Sequence, residues 1–222
     1  SEVDYARILT PAGFGVYVNR IPFANPVTPQ TLQDMEDDLA EGAALILPGE
    51  QLDAVIYGCT AASVCIGDQK VRDQVSRGKP GCAVVTPISG TLAGLRAIGA
   101  KRISVLTPYT PETSRPMAEM FEANGIGINR FTCLNMSDDR DMARIALDDL
   151  VAFAANATAP GSDALFVSCT AVRAASVIDR IEATSGIPAL SSNYAAAWSV
   201  ARLCGVQGVL APGHLMTLPG IQ

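Results

Sequence analysis

The chain has few of the side chains that most often carry metal or hydrolytic chemistry. It contains a single histidine, His214, and its cysteines form no closely spaced CxxC pair, so a zinc site lacks ligands. His214 lies in an Ala-Pro-Gly-His segment near the carboxyl end, which is typical of a surface position. Without this histidine in the site, the cysteine–histidine pair of a thiol hydrolase cannot be assembled. We therefore predict that no metal takes part.

Basic residues and long apolar runs are also scarce. The 222 residues include 16 Lys and Arg against 22 Asp and Glu, a net charge of −6, which disfavours nucleic acid and anionic membranes as partners. A small anionic substrate stays compatible with this charge, because it responds to the local field of a site. No apolar stretch approaches the roughly 18 residues of a membrane span, and the start of the sequence shows no signal peptide. We expect a cytoplasmic protein.

Nucleotide-binding motifs are missing as well. The glycine-rich pieces at residues 11–15 and 125–127 fit neither a dinucleotide fingerprint nor a P-loop, so NAD and ATP are not predicted. The six cysteines are widely spaced in a chain that is 49% apolar, enough for a substantial core. Reduced thiols are therefore favoured over three disulfides.

What the sequence does contain is an internal repeat. Residues 53–61 read DAVIYGCTA and residues 163–171 read DALFVSCTA, so Asp, Ala, Cys, Thr and Ala recur at the same offsets, 110 residues apart. A repeat on the scale of half the chain predicts two similar halves related by a pseudo-twofold axis. Such symmetry can bring the two Cys-Thr turns face to face, with one thiol placed to donate a proton and the other to accept one.

Short apolar runs alternate with helix-compatible segments, a pattern typical of parallel βαβ units. We predict an α/β fold of two doubly wound parallel-sheet halves, residues 1–93 with 197–222 and residues 94–196, with the active site between them. The predicted strands are residues 14–19, 54–57, 82–86, 102–107, 126–134, 164–167 and 189–190. The predicted helices are residues 29–47, 89–98, 112–123, 138–155 and 193–203, and one after each Cys turn, to about residues 76 and 184.

Several reactive or polar residues follow the predicted strands, where parallel sheets place their ligands. Free backbone NH groups at a following helix bind carboxylates and lower a thiol pKa from about 8.5 towards neutrality. Cys59 and Cys169 are the predicted catalytic residues, the alternative being two buried structural thiols. Tyr109 is either a substrate ligand or an exposed loop aromatic, and Asn193 either a ligand or a helix N-cap. The predicted substrate-binding residues are Thr60, Ala61, Thr86, Tyr109, Thr170, Ala171 and Asn193, and the cysteines predicted to lie in the core are Cys65, Cys82, Cys133 and Cys204.

Four phrases resemble a known group of enzymes: VNRIPFANP at residues 18–26, CTAAS at 59–63, ISVLTPYT at 103–110 and FVSCT at 166–170. Together with the paired Cys-Thr turns, they make the chain similar to the aspartate/glutamate racemase superfamily, in its maleate cis-trans isomerase and arylmalonate decarboxylase branch. Within that branch it is most similar to the ectoine-utilisation proteins. The resemblance spans essentially the whole chain and implies a cofactor-independent enzyme for a small carboxylic acid, with a homo-oligomer as the expected assembly.

The resemblance also implies roles for both thiols. In racemases of the superfamily, one cysteine removes the proton next to a carboxylate and the other returns a proton on the opposite face. In the maleate isomerases the first-half cysteine adds to the double bond instead. Carried onto this chain, Cys59 is the first-half residue, Cys169 is the second-half residue, and Tyr109 matches a tyrosine that those isomerases place on a substrate carboxylate. Arylmalonate decarboxylases have a small residue in the first position, so Cys59 favours an isomerase or racemase.

Members of the superfamily begin with a strand and a loop that supplies a polar active-site residue, and this sequence is expected to start after that strand. The alternatives to an isomerase or racemase are a decarboxylase that uses Cys169, a carboxylate-binding protein without activity, and a redox pair formed by the two thiols.

Overall fold

Strands and helices alternate along the chain in the computed structural model, which describes residues 1–220. The strands are β1 Ala54–Ile56, β2 Ala83–Val85, β3 Arg102–Thr107, β4 Gly127–Cys133, β5 Ala164–Val167 and β6 Ala189–Ser191. The helices are α1 Glu2–Leu9, α2 Pro29–Gln33, α3 Leu39–Ala44, α4 Thr60–Ile66, α5 Asp68–Gly78, α6 Pro87–Ile98, α7 Pro111–Ala123, α8 Asp139–Arg144, α9 Leu147–Ala157, α10 Ile178–Ser185 and α11 Ser192–Leu203.

The strands form two parallel sheets. β1 pairs with β2, and a second sheet has the order β4-β3-β5-β6. In the larger sheet, β3 lies between β4 and β5, and Val105 faces Phe131 on one side and Phe166 on the other. Parallel strands need crossover connections, and the intervening helices supply them. The predicted α/β class with parallel sheets is confirmed.

The sequence repeat appears in the strand arrangement. β1 and β5 carry the two copies of the repeated phrase. Each pairs with the strand that follows it in the chain: β1 with β2, and β5 with β6. β5 is apolar along its whole length and fully buried, and its Phe166 ring packs edge-on against Phe121 with ring centroids 5.6 Å apart. Aromatic pairs of this geometry add to the free energy gained from burial. Within residues 1–220, no helix is long and apolar enough to cross a membrane.

The helices that follow β2 and β6, α6 and α11, pack directly against each other. Gly90 of α6 lies against the α11 backbone so closely that a Cβ atom added there would be 2.9 Å from the Ala196 Cα atom. Gly94, one turn later, meets side chains only, and its added Cβ would be 2.7 Å from a Leu190 methyl carbon. The small residues on both helices therefore set the distance between the ends of β2 and β6.

This contrast predicts different outcomes for two matched substitutions in α6. Gly90→Ala should lower the free energy of unfolding by about 1–3 kcal/mol, because backbone cannot move aside as a side chain can. Gly94→Ala should stay within about 1 kcal/mol of the parent, since the Leu190 side chain can shift and alanine favours the helix. Urea denaturation of both variants measures the difference. Equal losses would show that the α6–α11 backbone contact is not tight.

Several predicted helices are interrupted. The segment 29–47 consists of α2, a 3-10 turn at Asp34–Asp38 and α3, so the single helix predicted there is wrong. The helix predicted after the first Cys turn divides into α4 and α5 at Gly67, whose φ of +100° is a conformation that favours glycine. The helix predicted at 138–155 likewise divides into α8 and α9. In each case the apolar spacing continues through the break, which is why the sequence pattern did not reveal it.

The predicted strand at residues 14–19 is not a strand in the structure. These residues run without helix or sheet hydrogen bonding, and the side chains of Tyr17 and Val18 are exposed. Phe14 and Val16 nevertheless pack against the core, so the alternation of apolar residues that suggested a strand is partly realised. An extended segment becomes a strand only when a neighbour accepts its backbone hydrogen bonds.

Candidate active site

The first Cys turn connects β1 to α4. Cys59 occupies the N-cap position of α4 and is half-buried, and its carbonyl oxygen accepts hydrogen bonds from the backbone NH and hydroxyl of Ser63. The buried Thr60 donates its hydroxyl to the Ser192 hydroxyl oxygen, 2.8 Å away, at the start of α11. The turn is thus fixed both to its own helix and to the helix that follows β6. Thr60 and Ala61 lie in the first turn of α4, where backbone NH groups are free.

The second Cys turn follows β5 and has a different backbone. Cys169 is buried and adopts φ +87°, a left-handed conformation that residues other than glycine rarely take. The helix predicted to follow directly is wrong: a turn and a 3-10 segment at Ala174–Ser176 come first, and α10 begins at Ile178. The Ala171 backbone NH points back at the Cys169 sulfur, 3.4 Å away. Backbone NH groups of this turn, rather than a helix terminus, therefore face the second thiol.

The two Cys turns are in direct contact. The Thr170 hydroxyl donates a hydrogen bond of 2.7 Å to the carbonyl oxygen of Gly58, the residue before Cys59. Asn193 then holds the second turn, donating its side-chain NH₂ to the Thr170 carbonyl at 2.9 Å and to the Asp4 carboxylate at 2.8 Å. The predicted meeting of the two repeated phrases is therefore present in the structure, and two predicted residues, Thr170 and Asn193, form its hydrogen bonds.

Asn193 and two tyrosines place further polar atoms at this contact. The N-cap of α11 is Ser191, so the interpretation of Asn193 as the N-cap is wrong. Its buried side-chain oxygen and the buried hydroxyl of Tyr5 have no hydrogen-bond partner among residues 1–220. Tyr109 is buried, which excludes the exposed-loop alternative, and its hydroxyl is near enough to Cys169 to influence the pKa of that thiol. Unpaired buried polar atoms are costly, and a bound ligand is one way of satisfying them.

Burial, rather than the helix terminus, controls the thiol pKa values. Burial raises the pKa of Cys59 to about 12, and the nearby Cys169 and Asp139 act in the same direction against one backbone hydrogen bond. Burial also raises the pKa of Cys169, although the Tyr109 hydroxyl and the backbone NH groups of the turn oppose this change. The prediction that the helix N-termini bring the thiols towards neutrality is wrong for the free protein. Both thiols are protonated at neutral pH, because the free energy lost when a thiolate is removed from water exceeds the free energy gained from the backbone NH groups of the turns.

Asp139 is the site residue that the sequence did not reveal. Asp139 is the first residue of α8 and lies beside the Tyr109 segment. The loop before α8 is held there by two backbone hydrogen bonds, from Met136 to Pro108 at 2.8 Å and from Asn135 to Tyr109 at 3.3 Å. The half-buried Asp139 carboxylate is near enough to contribute to the raised pKa values of Cys59, Cys169 and Tyr109. Its own pKa is raised by burial and by the neighbouring Asp138. No pattern in the sequence distinguishes it from the acidic residues on either side.

The remaining candidates lie away from this contact or have other partners. The Thr86 hydroxyl caps α6 and hydrogen-bonds to Asp68, so its role as a substrate ligand stays a prediction. His214 is exposed, as predicted. All six cysteines are free thiols, and the four predicted for the core are half-buried rather than fully buried: Cys65, Cys82, Cys133 and Cys204. Among the described residues, no group of three potential ligands is placed to hold a metal ion.

Comparison with known proteins gives a consistent result. Residues 27–216 match the family model described as arylmalonate decarboxylase (Amdase). The maleate isomerase of Nocardia farcinica is 26% identical over 184 residues, which cover 79% of this chain and 73% of that protein. The arylmalonate decarboxylase of Bordetella bronchiseptica is 28% identical over 136 residues, which cover 60% of this chain and 57% of that protein.

A solved structure shares the fold. The Nocardia farcinica maleate cis-trans isomerase, as a cysteine-to-serine mutant with a covalently bound succinylcysteine intermediate, superimposes with a TM-score of 0.87 at 23% identity. The superposition covers 97% of this chain and 92% of that one. At this level of identity the likeness shows a common fold, and the chemistry of the present site has to be argued from its own residues.

Proposed function

Since its family model spans residues 27–216, the chain belongs to the arylmalonate decarboxylase family, and we propose that it is a cofactor-independent isomerase or racemase of a small carboxylic acid. Cys59 and Cys169 are the proposed catalytic residues. The observation that carries the proposal is the hydrogen bond from Thr170 to Gly58, because it joins the two Cys turns directly. It supports a single site with one thiol contributed by each copy of the repeat.

In the racemase reaction, the two thiols would act on opposite faces of one carbon. Once one of the two cysteines has lost its proton in the substrate complex, its thiolate takes the proton next to the carboxylate. The electrons of the C–H bond then move into the carboxylate to give an enolate-like intermediate. The thiol of the other cysteine then gives its proton to the opposite face. The two sulfur atoms exchange protonation states, so no cofactor is consumed. Proton transfer of this kind typically contributes about 10²–10⁴-fold to the rate.

In the cis-trans reaction, the Cys59 thiolate would add to the double bond instead. A C–S bond forms, the π electrons move towards the carboxylate, and the former double bond becomes a single bond that can rotate. Expelling the thiolate restores the double bond in the other geometry. Backbone NH groups at Thr60, Ala61 and Ala171, together with the Tyr109 hydroxyl, are the proposed donors to the carboxylate in both reactions. Such fixed donors stabilise charge that develops during the reaction.

The Asp139 carboxylate limits the chemical class of substrate that the proposed site favours. The residues described around the two thiols include the carboxylates of Asp4 and Asp139, and Asp4 already accepts hydrogen bonds from Asn193 and Arg7. Among the described residues, the Asp139 carboxylate accepts no hydrogen bond, although the positive charge of the Ser1 amino group acts on it. A second substrate carboxylate beside Asp139 would be repelled. A substrate with an ammonium group would pair with Asp139 and would offset one cause of the raised thiol pKa values. We therefore favour an amino-bearing carboxylic acid over a dicarboxylate such as maleate.

Replacing Asp139 by asparagine tests this preference. The substitution should lower kcat/KM for an amino-bearing acid by about 10–100-fold, the usual loss for a charged hydrogen bond, and should improve turnover of a dicarboxylate. Asp141→Asn is the matched control, because Asp141 lies on the same helix but is exposed and paired with Arg144. The measurement is kcat/KM for both substrate types with both variants. An unchanged ratio in Asp139→Asn would remove Asp139 from the binding site.

Two alternatives make different predictions. A decarboxylase would use Cys169 alone, and the presence of a thiol at position 59, next to the Gly58–Thr170 contact, argues against it. A binding protein without activity would retain the turns without needing two thiols. That the acid comes from ectoine or hydroxyectoine breakdown stays a prediction from the sequence resemblance.

Proton NMR in deuterated water distinguishes these possibilities. Ectoine-derived acids, C4 dicarboxylic acids and amino acids would each be incubated with the protein. Exchange of the proton next to the carboxylate with inversion supports the racemase, isomerisation without exchange supports the cis-trans reaction, and loss of CO₂ supports the decarboxylase. If none of these acids exchanges, isomerises or loses CO₂, the proposal of an enzyme is contradicted.

A further inference from the structure

The start of α1 lies beside the first Cys turn. The Ser1 hydroxyl oxygen would be 3.8 Å from a Cβ atom added at Gly58, the last residue before the first thiol. Three residues later, the Asp4 carboxylate accepts the hydrogen bond of 2.8 Å that the Asn193 side chain donates. These contacts hold Tyr5, the next residue of the helix, at the place where the two Cys turns meet.

The Tyr5 side chain ends in a buried hydroxyl without a partner. The residue is only 7% exposed, and its hydroxyl makes no hydrogen bond within residues 1–220. A buried tyrosine hydroxyl is normally paired. Burial, together with the nearby Asp4 and Cys59, raises the pKa of Tyr5, so the hydroxyl keeps its proton at neutral pH and can donate it. The influence of Cys59 also places this donor close to the first thiol.

Tyr5 and Cys59 line the same cavity, which has a volume of about 730 Å³. Two other tyrosines line it as well. The Tyr57 hydroxyl already donates to the Met35 sulfur, 3.7 Å away, and the Tyr17 side chain is 57% exposed to solvent. Of these three tyrosines, Tyr5 is the one that combines burial with a hydroxyl unpaired within the described chain.

We propose that the Tyr5 hydroxyl is a substrate ligand on the Cys59 side of the site, where it donates a hydrogen bond to the carboxylate of the bound acid. The carboxylate would give the buried hydroxyl the partner that it lacks in the free protein. Since the Tyr109 hydroxyl lies near Cys169, the two tyrosines would serve opposite sides of the acid. The role of Tyr5 rests on the proposed function, because it requires the acid to bind beside the thiols.

Hydrogen-bond type and charge both favour a carboxylate as the partner of Tyr5. An ammonium group has donors only, so it would leave the Tyr5 proton unpaired. The Asp4 carboxylate is already engaged, since it accepts from Asn193 on one oxygen and from Arg7 on the other, at 3.1 Å. It therefore presents no unpaired negative charge to an acid beside Tyr5. A donor that is in place before the reaction also stabilises the charge that moves into the carboxylate.

Replacing Tyr5 by phenylalanine separates a role in binding from a role in folding, since it keeps the ring and removes only the hydroxyl. We expect kcat/KM to fall about 10–100-fold, the loss for a hydrogen bond to a charged group. It would be measured with each amino acid, C4 dicarboxylic acid or ectoine-derived acid that the parent converts. The melting temperature should stay the same or rise, because the hydroxyl has no partner in the protein to lose.

Tyr194→Phe is the matched control, because the Tyr194 hydroxyl has a partner within the protein. It donates to the Pro212 carbonyl oxygen at 2.8 Å. Its removal should lower the melting temperature by about 1–4 °C, as expected for one hydrogen bond in a chain of this size. The kcat/KM of this variant should equal that of the parent. The two substitutions should therefore have opposite effects, one on activity and the other on stability.

An undiminished kcat/KM in Tyr5→Phe, with an active parent, would overturn the role of Tyr5 and leave the two-thiol reaction unaffected. A melting temperature that falls as much as in Tyr194→Phe would also overturn it, since the hydroxyl would then have a partner in the folded protein. A parent that converts none of the acids would contradict the proposed function, and the role of Tyr5 would fail with it.

Discussion

Cys169→Ala and Cys59→Ala each lose turnover of the substrate, by about 10²–10⁴-fold or more. Each substitution removes one of the two groups that transfer the proton, and the remaining thiol can serve only one face of the carbon. Neither change removes a large side chain, and alanine at position 169 requires the same left-handed backbone as cysteine does. The loss should therefore appear in kcat while the melting temperature changes little.

Cys133→Ala is the matched control, because Cys133 is a half-buried free thiol at the end of β4 with no role in the proposed chemistry. It should retain the parent rate. Activity that survives Cys59→Ala but not Cys169→Ala would indicate that the protein is a decarboxylase. Activity that survives both single substitutions would contradict the two-thiol mechanism.

Cys59 should react with iodoacetamide about 100-fold more slowly at pH 7 than a cysteine in an unstructured peptide. Its pKa of about 12 lowers the thiolate fraction by about three orders of magnitude relative to a free thiol of pKa about 8.5. The more basic thiolate is also more nucleophilic, and this offsets about half of the decrease in rate on a logarithmic scale. The rate should then rise about tenfold for each pH unit until the pKa of Cys59 is approached, whereas the peptide thiol reaches its plateau near pH 9.

The direction of the change in alkylation rate follows from the protonation state of the Cys59 thiol. Burial and neighbouring negative charge raise the pKa, so the protonated thiol persists to higher pH and the reactive form is scarce below it. Asp139→Asn should increase the alkylation rate at a given pH, since it removes one of the causes of the raised pKa. Peptide mapping by mass spectrometry identifies the modified cysteine. A plateau of the Cys59 rate near pH 9 would show that the helix terminus outweighs burial after all.

The parts of the fold that the sequence predicts well are those with local causes. β3 and β5 are found at the predicted residues, because each is a short apolar run bounded by turn residues and buried on both faces. The contact of the two Cys turns was also predictable, since the repeat requires equivalent positions for Cys59 and Cys169. The position of Tyr109 after the end of β3 was likewise visible in the sequence, whereas its role as a substrate ligand stays a prediction.

The parts that could not be predicted depend on neighbours distant in sequence. Residues 14–19 have the pattern of a strand, but strand formation requires a partner that the described residues do not provide. A helix N-cap at Cys59 is visible from the sequence, whereas the burial that raises its pKa depends on the packing of several segments. Asp139 resembles its acidic neighbours in sequence, and only the loop contacts with Pro108 and Tyr109 bring it to the thiols.

Binding of one small carboxylic acid between Cys59 and Cys169 can be measured as protection of both thiols from alkylation. The protein would be treated with iodoacetamide at about pH 9, near the usual thiol pKa, with increasing concentrations of the acid that the NMR screen identifies. Modification would be quantified separately at each cysteine. Cys59 and Cys169 should be protected with the same half-protecting concentration, while Cys133 and Cys204 should not be protected. Protection of only one of the two thiols, or protection of the two at clearly different concentrations, would contradict it.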